Sequence, residues 1–374
     1  MDAKGFNDFK FLDAFTTWEL QSGYPVIHVN HDKDLNEFRI TQKRYLNSDS
    51  NSVDSSSWFI PLNFAHANHP DFDDTITTHY FENGSNVKII STQSIEGFDV
   101  NGWFVFNKQQ LNYYRVNYDF ENWHNIIKVL NSENYQSIHV MNRAQLVDDA
   151  LNFAFDGFIN FDVALGVLTY LHHETDNLPW ASVNNYLERI DNLLSGTATR
   201  ASYHEFLRHL VSRMYARHGI QQSNGEAFLT KAARELAINW SCRTGNIKCQ
   251  QETYAEIKQA MTERREIPKP LEIAFLCNGL KGENKSEEFV YFWRKMRESS
   301  DQADRLRLID GLSCSDDSQN IKSFLESSTA RNSDVDYRLH ERTRIFYSVL
   351  SSSSIGISSI LNFMSNDINE ILVA

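Results

Sequence analysis

The string His204-Glu205-Phe206-Leu207-Arg208-His209 comes nearest to a metal site in this sequence. A helix-borne zinc centre takes two imidazoles one turn apart, with a Glu beside the first to activate a bound water. Here the second His falls five residues on instead of four, and the extra residue turns it about 100° away from the metal-facing side. The string therefore reads as a half-exposed amphipathic helix. In His172-His173-Glu174 the imidazoles are adjacent, point in different directions and lack a third ligand at useful spacing, so this reads as a polar helix end. No G-x-S-x-G, Walker A or G-x-G-x-x-G string is present. The Ser runs at 55–57 and 351–354 have the chemistry of turns. No catalytic, cofactor-binding or metal-ligating residue is assigned. Cys242, Cys249, Cys277 and Cys314 leave open free core thiols, a metal site or two disulfides, and four cysteines permit three pairings. The absence of a C-x-x-C pair argues against a structural zinc.

These residues sit in a chain of 374 with 41% hydrophobic and 13% aromatic content, enough for two or three domains with real cores. A formal net charge of -13 with no basic run to offset it repels a phosphate backbone, which excludes nucleic acid as a partner. No apolar stretch approaches the roughly 18 residues of a membrane span. Met1 to Lys10 lacks the pattern of a signal peptide.

The elements change character along the chain. Phe11, Leu12, Phe15 and Trp18 mark one face of a helix over Phe6 to Leu20, which stops at Ser22-Gly23 before Pro25. Such a short helix needs a partner to cover its face, so it reads as the last helix of a further domain. From Tyr24 to Asn107 short alternating runs predict strands: Val26–Val29, Phe38–Ile40, Trp58–Leu62, Val87–Ile90 and Trp103–Phe106. Polar and Gly-containing clusters separate them, which predicts a small antiparallel β-sandwich. Beyond Asn107 the period becomes helical, as in Trp123, Ile126, Ile127 and Leu130, or Leu207, Leu210, Val211 and Met214. Short helices joined by polar loops predict an all-α, HEAT-like solenoid. The expected fold class is multi-domain β + α, with boundaries at 1–23, 24–107 and 108–374.

Three blocks carry a resemblance. The run Thr17-Trp18-Glu19-Leu20-Gln21-Ser22-Gly23-Tyr24-Pro25-Val26 is similar to the T-W-x-x-Q-x-G-Y-P-V junction of the M1 zinc aminopeptidases, the family of aminopeptidase N. Trp103, Phe106-Asn107 and Tyr113 to Asp119 form the second block, and Asn142-Arg143-Ala144-Gln145-Leu146-Val147-Asp148-Asp149-Ala150 the third. The text from Ile60 to Asp74 resembles the insect gut type. Asn112 stands where the family usually has Gly, a position expected to need the left-handed conformation that Asn tolerates.

The resemblance implies the end of a catalytic domain, a β-sandwich and a helical superhelix that caps the chamber where peptides lose amino-terminal residues. The family's H-E-x-x-H and G-x-M-E-N motifs normally precede the Trp18 block. Zinc is therefore expected in the full-length enzyme and not on this chain, and the chain is expected to be cut at both ends. Peptide substrates are expected to meet the missing domain, and membrane attachment to use absent segments. The family's short and long cysteine loops imply Cys242 with Cys249 and Cys277 with Cys314. Disulfides need an oxidising compartment, and sequons at Asn83, Asn239 and Asn284 agree, so an extracellular or plasma-membrane parent is expected; Asn83 and Asn284 lie in loop-like sequence and are the expected acceptors, whereas Asn239 adjoins a helix and is disfavoured. Arg115 and Arg143 lie in family blocks, where buried structural pairing accounts for them as well as substrate contact does. The rival expectations are a stand-alone scaffold or surface receptor derived from an aminopeptidase, and an intracellular aminopeptidase-like fragment.

Overall fold

The sheet begins at Pro25 with a strand whose Val26, Ile27 and Val29 are buried, and apolar–polar alternation shows in the strand that follows. Phe38 and Ile40 are buried in one strand while Arg39 between them is exposed, the period-two pattern of a half-buried strand. The computed structural model describes residues 11–45, 56–223, 225–282, 284–329, 337–352 and 354–371. Helix α1 (Phe11–Glu19) is followed by strands β1 (Pro25–Asp32), β2 (Glu37–Arg44), β3 (Ile60–Leu62), β4 (Phe64–His66), β5 (His79–Phe81), β6 (Lys88–Ser91), β7 (Phe104–Phe106) and β8 (Arg115–Tyr118). Then come helices α2 (Phe120–Leu130), α3 (Val140–Phe155), α4 (Phe161–Thr169) and α5 (Asn177–Leu193). The expected first half of the opening helix, up to Lys10, lies outside the described residues, as does most of the polar loop after Tyr45.

The expected all-antiparallel sheet is mixed. Four strands pair in the order β6-β2-β1-β8, and β1 runs parallel to β8 with Val26 opposite Arg115. Parallel partners need a long crossover, and here the chain between β1 and β8 supplies it. Two further antiparallel pairs, β3 with β5 and β4 with β7, complete the strand set. Strands β4, β5 and β8 were not predicted, because three or four residues give alternation too little length to show. Phe38 is the hub of the core, with the rings of Phe64, Phe98, Phe104 and Phe106 centred 4.6 to 5.5 Å away.

The chain divides into two compact units, Met1–Arg189 and Ile190–Ala374. The first holds every strand named above. The second is helical: α6 (Thr199–His218), α7 (Phe228–Arg243), α8 (Ile247–Glu263), α9 (Glu272–Gly279), α10 (Ser286–Glu298), α11 (Gln302–Leu312), α12 (Ser318–Thr329), α13 (Leu339–Ser352) and α14 (Ser354–Ile371). Helix starts are fixed locally. Asp119 accepts from the Asn122 N–H at 2.8 Å, Asn246 from Cys249 at 3.2 Å and Asp301 from Asp304 at 2.9 Å. Helix α6 ends at Gly219, whose φ of 55° suits glycine. In the second unit helices pack on ones nearby in sequence, one or two along: α9 packs on α8 and α11, α11 on α10 and α13, and α12 on α13 and α14.

Candidate functional site

In the first unit the three blocks that carry the resemblance converge on one junction. The first block ties α1 to the strand region. Trp18 Nε1 donates to the Phe59 carbonyl at 2.8 Å, and Gln21 Nε2 donates to the Ser57 carbonyl at 2.9 Å while its Oε1 accepts from the Ser57 N–H at 3.1 Å. On α1 itself, Ala14 and Thr17 face inward while Leu12 and Phe15 are exposed, so the apolar stripe is narrower than the sequence suggested.

The second and third blocks meet through Arg115. Its Nη1 donates to Asp148 Oδ2 and to Asp149 Oδ1, each at 2.6 Å, and its Nε donates to the Tyr24 hydroxyl of the first block at 3.2 Å. Asp149 also accepts from the Val116 N–H at 3.1 Å. Burial pushes the Asp149 carboxyl above the usual carboxylate range, opposed by the adjacent Arg115 guanidinium. The Arg115 guanidinium lies 5.2 Å over the Tyr45 ring, and the Tyr45 hydroxyl is bonded to Asp156. A cleft of about 430 Å³ opens beside this cluster, lined by Tyr24, Leu111, Tyr113, Tyr114, Arg115 and Asp148 among others.

Asn107, within the second block, organises the loop. It is fully buried and sits at φ 63°, ψ 60°, the left-handed region that Asn tolerates. Its Nδ2 donates to the Asn112 carbonyl at 2.8 Å, and its Oδ1 accepts from the Asn112 N–H at 3.0 Å. Its carbonyl accepts from Asn142 Nδ2 at 2.9 Å, and Asn142 Oδ1 accepts from the Gln109 N–H at 2.7 Å. The left-handed residues of this loop are Asn107, Gln109 and Gln110, and Asn112 is not among them. The expectation for Asn112 is thereby corrected: the side chain of Asn107 holds the turn, so position 112 needs no unusual conformation.

Arg143 is likewise paired and buried. Its Nε donates to Glu174 Oε2 at 2.7 Å and its Nη1 to the Ile138 carbonyl at 2.8 Å. Glu174 is thus engaged by Arg143 and by the N–H groups of Thr175 and Asp176, while His172 Nδ1 lies 2.6 Å from the Thr169 carbonyl. In the second unit His204 Nε2 lies 2.7 Å from Asp191 Oδ1, and His209 is exposed on another face of α6. Asp191 also accepts from Arg200 at 2.7 Å and Arg243 at 2.8 Å. Burial would raise this carboxyl, but the hydrogen bonds of Arg200 and the charge of Arg243, with His204, hold it below the ordinary range. Among the described residues no group of three or more His, Cys, Asp or Glu is placed to hold a metal ion.

Disulfides join Cys242 to Cys249 across the α7–α8 turn, with Cα atoms 5.1 Å apart, and Cys277 to Cys314, with Cα atoms 4.7 Å apart. Cys277 lies in the last turn of α9 and Cys314 two residues beyond α11. Asn83 and Asn284 are exposed in turns, whereas Asn239 is half-buried inside α7. No described helix is long and apolar enough to cross a membrane.

Residues 103–373 match the sequence profile of the ERAP1-like C-terminal domain. The chain is 29% identical to an aminopeptidase N of Plutella xylostella over 349 residues, covering 93% of this chain and 36% of that protein. It is 25% identical to a membrane alanyl aminopeptidase of Heliothis virescens, covering 96% and 35%. The thyrotropin-releasing hormone-degrading ectoenzyme of Mus musculus is 27% identical, with 86% and 31% covered. The chain thus spans about a third of the length of the curated relatives it matches. The chain belongs to the family of the ERAP1-like C-terminal domain, the carboxy-terminal region of M1 aminopeptidases.

Proposed function

We propose that these residues form the non-catalytic carboxy-terminal part of a zinc aminopeptidase that removes amino-terminal residues from peptides. In this reading the zinc, the water-activating Glu and the groups that hold the substrate's amino terminus belong to a catalytic domain preceding the chain in the whole protein. The observation that carries it is the use made of the shared blocks. Arg115 pairs with Asp149 and Arg143 with Glu174, and Asn107 and Asn142 bond backbone groups, so these residues of the blocks are engaged in building a joint. An ion pair held this way serves geometry, not turnover.

The finer architecture belongs to the same proposal. Residues 1–23 close the catalytic domain, 24–107 form a sandwich that fixes the remainder against it, and 108–374 form a solenoid that caps the substrate chamber. The pairing of helices with neighbours one and two along, as in α8, α9 and α11, supports the solenoid. The two disulfides support an extracellular or membrane-tethered parent.

The test is direct. The purified chain, with and without added zinc, is expected to leave aminoacyl-nitroanilides intact. Turnover that a chelator abolishes would overturn the proposal, because it would place a working metal centre inside these residues.

A further inference from the structure

Three Asn-x-Ser triplets occur in the chain, at Asn83-Gly84-Ser85, Asn239-Trp240-Ser241 and Asn284-Lys285-Ser286. A sequon is used when both the amide and the hydroxyl two residues on are presented by a turned or extended backbone, and when the finished oligosaccharide fits in solvent. The fold separates the three on both counts.

Asn83 lies at the apex of the connection between β5 and β6, where the Ser85 N–H donates to the Glu82 carbonyl at 3.3 Å and closes a four-residue turn. Asn83, Gly84 and Ser85 are all exposed, and a Cβ added at Gly84 meets no atom within 4 Å, so the space around the apex is open. Asn284 lies in the turn before α10 at φ 61°, a conformation available to Asn, and both Asn284 and Ser286, the first residue of α10, are exposed, with the Ser286 hydroxyl 3.4 Å from Asp317 Oδ2 at the surface. The Lys285 ammonium lies 3.1 Å from the centre of the Tyr254 ring, which draws that side chain onto the protein and leaves its neighbours facing water. Asn239 is different. It lies inside α7, its neighbour Trp240 is buried, and Ser241 is fully buried next to disulfide-bonded Cys242. A bulky hydrophilic chain there would force the α7–α8 turn out of its packing.

We infer that Asn83 and Asn284 carry N-linked oligosaccharides and that Asn239 does not. In each transfer the Asn Nδ2 forms a bond to the anomeric carbon of a lipid-diphosphate-linked oligosaccharide. The anomeric C–O bond breaks, the lipid diphosphate leaves with the electron pair, and the amide gives up one proton to base. No oxidant or reductant is involved. The two disulfides are consistent with this, since both chemistries belong to the secretory route.

The full chain, secreted from eukaryotic cells behind an added signal peptide, is digested after glycan release by an amidase in heavy-oxygen water. Released sites become labelled Asp and unused sites remain Asn. Label is expected at 83 and 284 with unlabelled Asn at 239. Unlabelled Asn at either loop position, or label at 239, overturns the assignment. Absence of free thiols in the same sample shows that the protein analysed has folded in an oxidising compartment, and Asn83→Gln and Asn284→Gln are each expected to remove one glycan's worth of mass.

Discussion

Arg115 shows how much one side chain of the junction carries. It satisfies two carboxylates of α3 and the phenol of Tyr24, from two separate segments, and Asp149 behind it is almost completely buried. Removing the guanidinium strands that carboxylate in a low-dielectric site, so Arg115→Ala is expected to cost roughly 3–5 kcal/mol. Arg115→Met combined with Asp149→Asn is expected to cost less than the sum of the two single changes, because neither variant then leaves a lone buried charge. Denaturant midpoints of the four proteins check this, and additive losses would show that the pair is not coupled. The sequence singled out Arg115 and left buried pairing and substrate contact both open for it, and it could not name Asp148 and Asp149 as partners, since 33 and 34 residues separate them. Asn107 was less legible still. An Asn before a polar run looks like any loop residue, and its left-handed backbone and its hydrogen bonds to Asn63, Gln110, Asn112, Tyr114 and Asn142 appear only when the chain closes on itself.

Pairs of helices in the second unit are set by features the apolar period does not report. A Cβ built on Gly311 would lie 2.6 Å from Leu276 Cδ1 and 2.7 Å from Leu276 Cβ, so α11 approaches α9 only because position 311 has no side chain. Leu276 is fully buried and has nowhere to turn. Gly311→Ala is therefore expected to destabilise by about 1–3 kcal/mol, read as a lowered denaturation midpoint, and its combination with Leu276→Ala to cost less than the sum of the two single losses. A neutral Gly311→Ala would mean that the helices part easily. The same close approach brings Cys277 to Cys314. In the chain-entropy account the 37-residue separation makes this bond worth roughly 4 kcal/mol, against roughly 2 for the 7-residue Cys242–Cys249 bond. Cys277 and Cys314 are half-buried, whereas Cys242 and Cys249 are buried. Graded reduction followed by alkylation and mass spectrometry is expected to label Cys277 and Cys314 first; the reverse order would contradict the packing described.

Desolvated histidines of the first unit should weaken the chain in acid, while Asp149, whose carboxyl burial pushes up, contributes in the opposite direction. Burial lowers the pKa of His28, His31, His66 and His79, and for His28 burial followed by the charge of Lys43 brings it to about 4. The structure supplies the reason: Trp123 Nε1 donates to Asn117 Oδ1, so Asn117 Nδ2 is the atom turned to His28 Nδ1 at 3.3 Å, and a proton on that nitrogen would set two donors face to face. An unfolded histidine takes its proton near 6.5, so below that pH the unfolded chain binds more protons than the folded one and stability falls. For His28 the loss proceeds from about 6.5 down to about 4 and then levels off. Denaturation followed by tryptophan fluorescence should show a lower midpoint at about pH 5 than at about pH 7.5, with a smaller difference in His28→Gln. Equal pH dependence in the two proteins would remove His28 from this account. At this scale the sequence by itself determined the order of strands before helices and the resemblance to the aminopeptidase carboxy-terminal region, because period and block order are local properties that survive in a string. Only the tertiary structure decided the mixed sheet, the carboxylates that meet Arg115, the hub at Asn107 and the glycine contact of α9 with α11. All of these depend on which distant residues come within a few ångströms, and neither spacing nor composition encodes that.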